Sequence, residues 1–289
     1  MEGLAPAPFA LGSNRAPEPA SARLASTGRV ALRGPGGRVV FLLGLHRSGT
    51  TLLAKLLARH SWISGFAGTG VAMDEGQYLQ SVMVDPRGRP LDRVGALALR
   101  RRYRLTERSP QATPENARKL WNEWRPYWNL DKPYLLEKSP ANITKTRFLD
   151  YCFPNARYVL ITRHPLAQAM AISKWSVNRS RFQFLLNWSL AHDYFRRDAR
   201  YLPGHHVVPY ERLCAHPEAA LRGVFDYLEA PYEDVVDRPL DNSNAKYFAA
   251  WREKVTPDSM EMKMIRTCFS RSANRWGYDL DSVDHRSSL

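Results

Sequence analysis

The sequence predicts an α/β fold with three layers, in which a central parallel sheet is flanked by helices. From Arg38 onward, short apolar runs alternate with segments that carry apolar residues at helical spacing. This alternation is typical of parallel strands joined by helices. The chain has 289 residues, 44% of them hydrophobic, so it is long enough to bury the core of one large domain. We expect that domain to span 38–289.

Four buried strands are predicted: 39–43, 134–136, 157–162 and 205–208. The leucines of 52–57 repeat at helical spacing, so a helix follows the first strand after a loop bounded by glycines. Each later strand leads into a polar loop and then a helix. Such loops are where α/β sheets bind their ligands. Residues 81–113 lack this pattern and are interpreted as an irregular, basic insertion.

Residues 1–37 are rich in Ala, Pro, Gly, Ser and Arg and show little periodicity. This composition favours a disordered leader, although an arginine-rich transit peptide stays open. The three cysteines are widely spaced and suggest neither a disulfide framework nor a zinc site. We therefore expect a cytoplasmic protein, with an organelle or the Golgi lumen as the alternative if the leader is a targeting or truncated segment.

The formal net charge is +14, which attracts anionic partners such as nucleic acid, anionic lipid, acidic glycans or a phosphorylated cofactor. Charge alone does not choose among them. The longest apolar run, 39–45, has seven residues, far fewer than the roughly 20 that a membrane-spanning helix needs. No membrane span is predicted.

The segment 44–51, Gly-Leu-His-Arg-Ser-Gly-Thr-Thr, lies between the first strand and its helix. Glycines at such a position let backbone N–H groups and the helix dipole converge on an anion. A nucleotide-hydrolysing loop would have lysine after Gly49, where this chain has Thr50. The strand 157–162 ends at Arg163 instead of the aspartate that would hold magnesium. A metal-dependent kinase or ATPase is therefore disfavoured.

Arg47-Ser48-Gly49-Thr50-Thr51 after a buried strand resembles the 5′-phosphosulfate loop of sulfotransferases that use 3′-phosphoadenosine 5′-phosphosulfate (PAPS). The resemblance implies a P-loop-like sulfotransferase fold, with these five residues on the phosphosulfate. It also implies PAPS as co-substrate, 3′-phosphoadenosine 5′-phosphate (PAP) as product, and no metal.

Arg163, at the end of the strand 157–162, is similar to the arginine that binds the 3′-phosphate in this family. The family places a serine eight residues later, but this chain has Ala171 there. Ser173 points about 200° away from that direction on a helix, and Lys174 only about 60° away. Whether Ser173 or Lys174 replaces the serine is open, with Lys174 as our hypothesis.

The segment 134–142 resembles the strand and loop that carbohydrate sulfotransferases place beside the reacting sulfate. There Lys138 would stabilise charge on the bridging oxygen or orient the acceptor; the alternative is an ordinary surface ion pair. We expect the charged pair Glu137-Lys138 to lie outside the buried strand. Tyr210 in 207–213 is similar to a family tyrosine near the nucleotide. Lys246 resembles a lysine that tyrosylprotein sulfotransferases supply to the cofactor.

Sulfuryl transfer needs a base for the acceptor proton. In the glycan and tyrosylprotein types this is a glutamate soon after the first helix, which makes Glu75 the candidate. Asp74 stays possible, either as the base or as the N-cap of a helix beginning at Glu75. His46 is set aside because it would crowd the loop, and His60 and His164 because no pattern supports them.

Two further patterns each allow a structural and a functional interpretation. Trp121, Trp124 and Trp128 recur at helical spacing, which favours core packing over a sugar-stacking platform. Residues 87–108 carry eight arginines against two acidic residues, which would clamp an acidic acceptor, cap the cofactor or form a solvated helix face.

The resemblance implies an enzyme that moves the sulfuryl group of PAPS to an acceptor hydroxyl by in-line transfer. The acceptor is an acidic glycan, a peptide or a small metabolite, and no nucleic acid is expected. The alternatives are a basic nucleic-acid-binding protein and a P-loop kinase relative. The sequence leaves the oligomeric state open.

Overall fold

A computed structural model describes residues 37–176 and 178–282, so the predicted leader, apart from Gly37, lies outside the described residues. It confirms the α/β fold: five parallel strands form one sheet in the order β2-β3-β1-β4-β5. The strands are β1 (Arg38–Leu43), β2 (Ile63–Gly65), β3 (Tyr134–Lys138), β4 (Arg157–Thr162) and β5 (His206–Pro209).

Helices cover both faces of the sheet. They are α1 (Thr50–Leu57), α2 (Pro114–Trp124), α3 (Thr146–Cys152), α4 (Pro165–Ser173), α5 (Arg181–Asp198), α6 (Tyr210–Ala215), α7 (Pro217–Leu228), α8 (Asn244–Arg252) and α9 (Met260–Asn274). Side chains alternate along β1, so Phe41 packs with α2, α3 and α5, whereas Leu42 packs with α1 and α7. The predicted three layers follow from this alternation.

The central strand β1 pairs with β3 on one side and β4 on the other. In the register, Leu42 lies opposite Lys138 and Leu43 opposite Leu160, so the strands end at a common edge. Because the chain order reverses around β1, this edge is the switch point where parallel sheets bind ligands.

Three elements differ from the predictions. The edge strand β2 was not predicted, since three residues carry no periodicity. Strand β3 continues through Glu137 and Lys138, which are both buried; placing this pair outside the strand was wrong. The insertion contains only one short 3₁₀ turn, Arg101–Tyr103, and buries Leu97 and Leu105 in the core; the solvated-helix interpretation is therefore wrong.

The tryptophans belong to the core, as predicted. Trp124 and Trp128 are buried, and Trp121 packs against the same cluster. Helix α2 ends at Trp124, so Trp128 lies beyond the helix. The indole N–H groups of Trp124 and Trp128 donate to the carbonyls of Gly76 and Leu136, each at 3.0 Å.

Within 37–176 and 178–282, no helix combines the length and the apolar character that a membrane span requires.

Candidate active site

The loop 44–51 joins β1 to α1 at the sheet switch point. Gly49 caps α1 with φ +100°, and a Cβ there would lie 2.7 Å from the Tyr210 ring. Only glycine readily tolerates both the positive φ and the close approach of the Tyr210 ring. Arg47 adopts φ +67°, which costs a non-glycine residue about 1 kcal/mol. The loop thus turns sharply just before α1 begins.

The loop has the chemistry of an anion site. The Ser48 hydroxyl is fully buried and has no hydrogen-bond partner in the described part of the chain. A buried hydroxyl normally has a partner. The first turn of α1 has no acidic residue, so no carboxylate in that turn opposes an anion at the positive end of the helix dipole. These features fit a phosphate or sulfate group between Ser48 and Thr51.

Arg163 links this loop to α8. Its guanidinium donates to the Arg47 carbonyl at 2.7 Å, to Asn244 Oδ1 at 2.8 Å and to Ser243 Oγ at 2.9 Å. The side chain is 4% exposed, and burial lowers the pKa of Arg163. All three acceptors are neutral, so Arg163 forms no direct ion pair among the described residues, and the Glu211 carboxylate behind Asn244 offsets its charge only from a distance. An anion can therefore pair with Arg163 directly.

A second group of cations surrounds Tyr247. The charged groups of Arg163, Lys174 and Lys246 lie 5.1, 5.7 and 5.3 Å from its ring centroid. Burial would raise the pKa of Tyr247, but the hydrogen bond and charge of Arg47, with Lys246 and Arg163, lower it. We call Arg47, Arg163, Lys174 and Lys246 the nucleotide cluster.

Ser173 and Lys174 differ in their surroundings. The Ser173 hydroxyl donates to the carbonyl of Met170 in its own helix, whereas the Lys174 ammonium faces the Tyr247 ring. Ala171 is fully buried. The geometry therefore favours Lys174 as the group that joins Arg163.

The Tyr210 ring packs against the Arg163 guanidinium. Its ring centroid lies 4.4 Å from the Arg163 guanidinium, and its hydroxyl donates to the Asp241 carbonyl at 3.1 Å. The ring also fills the space beside Gly49. Tyr210 thus connects the loop, Arg163 and the segment before α8.

Glu75 and Lys138 form a buried ion pair at the end of β3. Lys138 Nζ lies 2.9 Å from Glu75 Oε1, and it also donates to the Met73 carbonyl at 3.1 Å and to Thr51 Oγ1 at 3.5 Å. The candidate base and the candidate charge stabiliser therefore meet beside the loop, although 63 residues separate them in sequence.

Asp74 does not take the position that the sequence suggested. Two short 3₁₀ turns, Ala72–Asp74 and Gly76–Tyr78, replace the expected helix. The Asp74 carboxylate accepts from the N–H and hydroxyl of Thr69, and these hydrogen bonds lower the pKa of Asp74. Asp74 therefore stabilises its own loop, and its N-cap role was wrong.

Glu137 precedes Lys138 in β3, and its carboxyl lies against Gly76, the residue after the candidate base. Its carboxyl accepts from Ser139 and Asn142, and a Cβ on Gly76 would lie 2.6 Å from Glu137 Oε1. Burial raises the pKa of Glu137 to about 7. At neutral pH this carboxyl is therefore partly protonated, and both of its oxygens accept hydrogen bonds. These two features explain why a buried strand tolerates Glu137.

The model of the sulfotransferase family matches residues 39–234, more than half of the chain. The chain belongs to the sulfotransferase family.

Two curated relatives of this family member are similar over part of their length. A protein of Aquifex aeolicus (strain VF5), described only as uncharacterized, is 27% identical over 235 residues, which is 73% of this chain and 29% of that protein. Protein-tyrosine sulfotransferase A of Caenorhabditis elegans is 29% identical over 112 residues, 36% of this chain and 30% of that protein. The chain thus spans less than a third of either relative.

Solved sulfotransferase structures share the fold. The sulfotransferase domain of the Synechococcus PCC 7002 olefin synthase superposes with a TM-score of 0.52 at 17% identity, over 86% of this chain and 98% of that one. Sulfotransferase STF9 from Mycobacterium avium superposes with a TM-score of 0.52 at 13% identity, over 91% of this chain and 82% of that one.

This sulfotransferase-family site also contains three residues that sequence reasoning missed. Gln77 Nε2 donates to Glu75 Oε2 at 2.5 Å and to Asp92 Oδ2 at 3.3 Å, and Asp92 lies 3.0 Å from His46 Nε2. Burial opposes the charged imidazole, but Asp92 outweighs it and raises the pKa of His46. The expectation that His46 crowds the loop was wrong, because its side chain turns from the loop toward Asp92 in the insertion. Its exclusion as the base stays a prediction. The sequence feature that could have revealed these contacts is Asp92, one of two acidic residues in 87–108, a stretch with eight arginines.

The other two histidines are structural. His164 caps α4 by accepting from the Leu166 N–H, and its other ring nitrogen lies 2.9 Å from the Asp279 carbonyl. His60 is fully buried and lies 2.8 Å from the Pro231 carbonyl. No group of three or more His, Cys, Asp or Glu residues with metal-binding geometry occurs among the residues that the structure describes.

Proposed function

We propose that this protein transfers the sulfuryl group of PAPS to an acceptor hydroxyl. The observation that carries the proposal is that two anion sites are joined by one hydrogen bond, from Arg163 to the Arg47 carbonyl at 2.7 Å. The loop suits the 5′-phosphosulfate, and the nucleotide cluster suits a 3′-phosphate. A nucleotide with anionic groups at both ends matches this pair of sites better than a nucleoside triphosphate does.

The proposed assignment follows the geometry. Arg47, Ser48, Gly49, Thr50 and Thr51 bind the phosphosulfate through amides, hydroxyls and one guanidinium. Lys246 and Tyr210 complete the nucleotide site, the first by its charge and the second by holding Arg163. The buried Ser48 hydroxyl, which has no hydrogen-bond partner among the described residues, gains one when an anion binds.

Glu75 is the proposed base. In an in-line transfer the acceptor oxygen bonds to sulfur while the bond from sulfur to the bridging phosphate oxygen breaks, and the acceptor proton moves to the Glu75 carboxylate. Gln77 holds one oxygen of that carboxylate and Lys138 holds the other. PAP leaves with the electron pair of the broken bond.

Lys138 is the proposed charge stabiliser. Its ammonium contacts both Glu75 and Thr51, the last residue of the loop motif. As Glu75 takes up the proton its attraction for Lys138 falls, and the ammonium is then free to stabilise the leaving oxygen. Positive groups of the protein, aimed at the developing charge, thereby supply the electrostatic stabilisation, and we propose that no metal is required.

The acceptor and the cellular compartment are also matters of proposal. We favour a hydroxyl on an acidic glycan, peptide or small metabolite; similarity to a protein-tyrosine sulfotransferase over 112 residues supports testing peptides. Cys152, Cys214 and Cys268 are free thiols, which supports a reducing compartment such as the cytoplasm. We propose 38–289 as one working domain.

Labelled transfer tests the function. Sulfur-labelled PAPS is incubated with the protein and a panel of glycans, tyrosine peptides and phenols. We expect label in at least one acceptor, and we expect Glu75→Gln to lower kcat by about 10²–10⁴-fold while PAP still binds. Asp74→Asn is the matched control and should retain turnover within about threefold, because among the described residues the Asp74 carboxylate accepts its hydrogen bonds from Thr69 in its own loop. PAP binding without any transfer would indicate a binding protein that has lost its acceptor, and unchanged turnover in Glu75→Gln would remove Glu75 as the base.

A further inference from the structure

Polar contacts connect the proposed base to the loop 44–51 by way of the insertion. Gln77 Nε2 lies 2.5 Å from Glu75 Oε2 and 3.3 Å from Asp92 Oδ2. Asp92 Oδ2 also lies 3.0 Å from His46 Nε2, and the side chains of this pair are 7% and 15% exposed. We call Gln77, Asp92 and His46 the bridge. It links the Glu75 carboxylate to a residue of the loop.

The orientation of the Gln77 amide follows from its two neighbours. Glu75 and Asp92 both present carboxylate oxygens, which accept hydrogen bonds and donate none when they are ionised. The NH₂ group of Gln77 must therefore face them, because the opposite orientation would set the amide oxygen against two carboxylates. This group has two N–H donors, one for each carboxylate. The amide thus fixes the position of one oxygen of Glu75.

The two ends of the bridge are anchored through their backbones. The Gln77 N–H donates to Ser139 Oγ at 3.0 Å, in the turn after β3. The His46 carbonyl accepts from Gln168 Nε2 at 2.8 Å, and Gln168 is buried in α4. Asp92 is the side chain that joins these two anchored residues.

The bridge is not optimised for stability alone. Gln77 Oε1 and Asp92 Oδ1 are buried and lack a hydrogen-bond partner in the part of the chain that the structure describes. Such atoms are uncommon in folded proteins, because a buried polar atom without a partner is unfavourable. Natural proteins depart from this rule mainly at functional sites. The two unpaired oxygens therefore support a role for the bridge in the reaction.

We propose that Asp92 and His46 are positioning residues, which act through Gln77 to hold the Glu75 carboxylate in place for the acceptor proton. This inference rests on the proposed sulfuryl transfer, in which the acceptor O–H bond breaks and the proton bonds to Glu75. Gln77 contacts Oε2 of that carboxylate and Lys138 contacts Oε1, so the group cannot rotate without losing a partner. Each oxygen keeps a second lone pair that can take the proton.

The bridge fixes the base relative to the loop that is proposed to bind the donor. In-line transfer needs the acceptor oxygen, the sulfur and the leaving oxygen in one line, so the base must lie at a defined place beside the loop. One route from the loop to Glu75 runs from Thr51 through Lys138. The bridge is a second route, from His46. Two routes to one carboxylate restrict its movement more than either does alone.

The test is a mutant cycle in the labelled transfer assay. Asp92→Ala and His46→Ala are each made alone and in combination with Glu75→Gln. Asp85→Ala is the matched control, because Asp85 lies in the same insertion and pairs with Arg89 four residues later. The assay measures kcat and the KM for PAPS, using the panel member that takes up most label from wild type. PAP affinity is measured by calorimetric titration.

Asp92→Ala should lower kcat by about 10–100-fold, since a displacement of about 1 Å in an active site can cost a hundredfold. His46→Ala, one contact further from the base, should lower kcat by about 3–10-fold. In both, the KM for PAPS and the PAP affinity should stay within about threefold. In combination with Glu75→Gln, either change should cost less than about twofold, because the carboxylate that it positions is gone. Asp85→Ala should keep kcat within about twofold.

Three results would overturn the inference. They are a kcat for Asp92→Ala that matches that of Asp85→Ala, an equal loss with and without Glu75→Gln, and a fall in PAP affinity that parallels the fall in kcat. The last two would mean that the bridge supports the fold or the nucleotide site. Should Asp92→Ala fail to fold, Gln77→Met makes the same comparison at a conserved side-chain volume.

The cycle also separates this inference from the proposed function. If wild type transfers no label, the proposed function fails and the positioning role falls with it. If Glu75→Gln is as active as wild type, the assignment of the base fails and the positioning role falls again. If wild type is active and depends on Glu75, a normal kcat in Asp92→Ala removes the positioning role alone.

Discussion

Arg163→Ala is the most informative single change, because Arg163 is where the two proposed anion sites meet. The wild-type guanidinium holds the Arg47 carbonyl, Asn244 and Ser243, and these bonds leave part of its N–H set free for a ligand. Two charge-assisted bonds to a 3′-phosphate are together worth about 3 kcal/mol at the low end of their range. We therefore expect PAP affinity to fall by about a hundredfold.

The assay is calorimetric titration with PAP and with adenosine 5′-monophosphate, which lacks the 3′-phosphate. Arg163→Ala should remove most of the preference for PAP. Arg157→Ala is the control: it removes an arginine from the start of the same strand, where Arg157 pairs with Glu229, a side chain that is 73% exposed. Its PAP affinity should stay within about twofold, as expected for an exposed ion pair. Equal losses for the two nucleotides would mean that Arg163 only supports the fold, and an unchanged PAP affinity would refute the 3′-phosphate assignment.

Three further changes test neighbouring parts of the site. Lys174→Ala should lower PAP affinity by about fivefold with no effect on the monophosphate, as expected of an exposed charge, whereas Ser173→Ala should leave both unchanged; titration with the same two ligands decides between them. Glu137→Gln should alter the pH dependence of unfolding. The folded-state pKa of Glu137, about 7, exceeds its ordinary value of 4.5. Its contribution to the free energy of unfolding is therefore fully present below pH 4.5, and about 3 kcal/mol of it is lost as the pH rises to 8. Urea unfolding at several pH values should show that loss in wild type and not in the variant. Gly49→Ala should destabilise the fold by about 2–4 kcal/mol through backbone strain and overlap with the ring beside it, while Gly88→Ala, with positive φ but open space around its Cβ, should cost about 1 kcal/mol in the same unfolding assay.

Features that are encoded by consecutive residues were predictable. The loop from Gly44 to Thr51 needs a strand, two glycines and a helix start in immediate succession, and all three appear in one stretch of sequence. The strand ending before Arg163 was predicted with its observed bounds, because it is a continuous buried run. The direction of Lys174 was worked out by helical geometry from the serine position that the resemblance implies, and its role at the 3′-phosphate stays a prediction; in the structure Lys174 directly follows the last residue of α4.

Features that depend on distant residues were not predictable in the same way. The link from Glu75 through Gln77 and Asp92 to His46 joins two loops and the insertion, and no periodicity relates them. Glu137 was misplaced for a different reason, since its partners Ser139 and Asn142 are close to it in sequence. A buried carboxylate is costly unless it has partners, and its partners come from a turn whose path the sequence does not reveal.

The bond from Arg163 to the backbone of Arg47 has a consequence for how the donor is recognised. Arg47 holds a left-handed backbone conformation that its own side chain disfavours, and the carbonyl that Arg163 holds is part of that conformation. In the proposed complex, a ligand group that fixes Arg163 also fixes the loop at the other end of the same molecule. We therefore expect the two ends of the proposed donor to bind cooperatively, so that the whole molecule binds more tightly than the binding free energies of its two fragments, added together, would indicate.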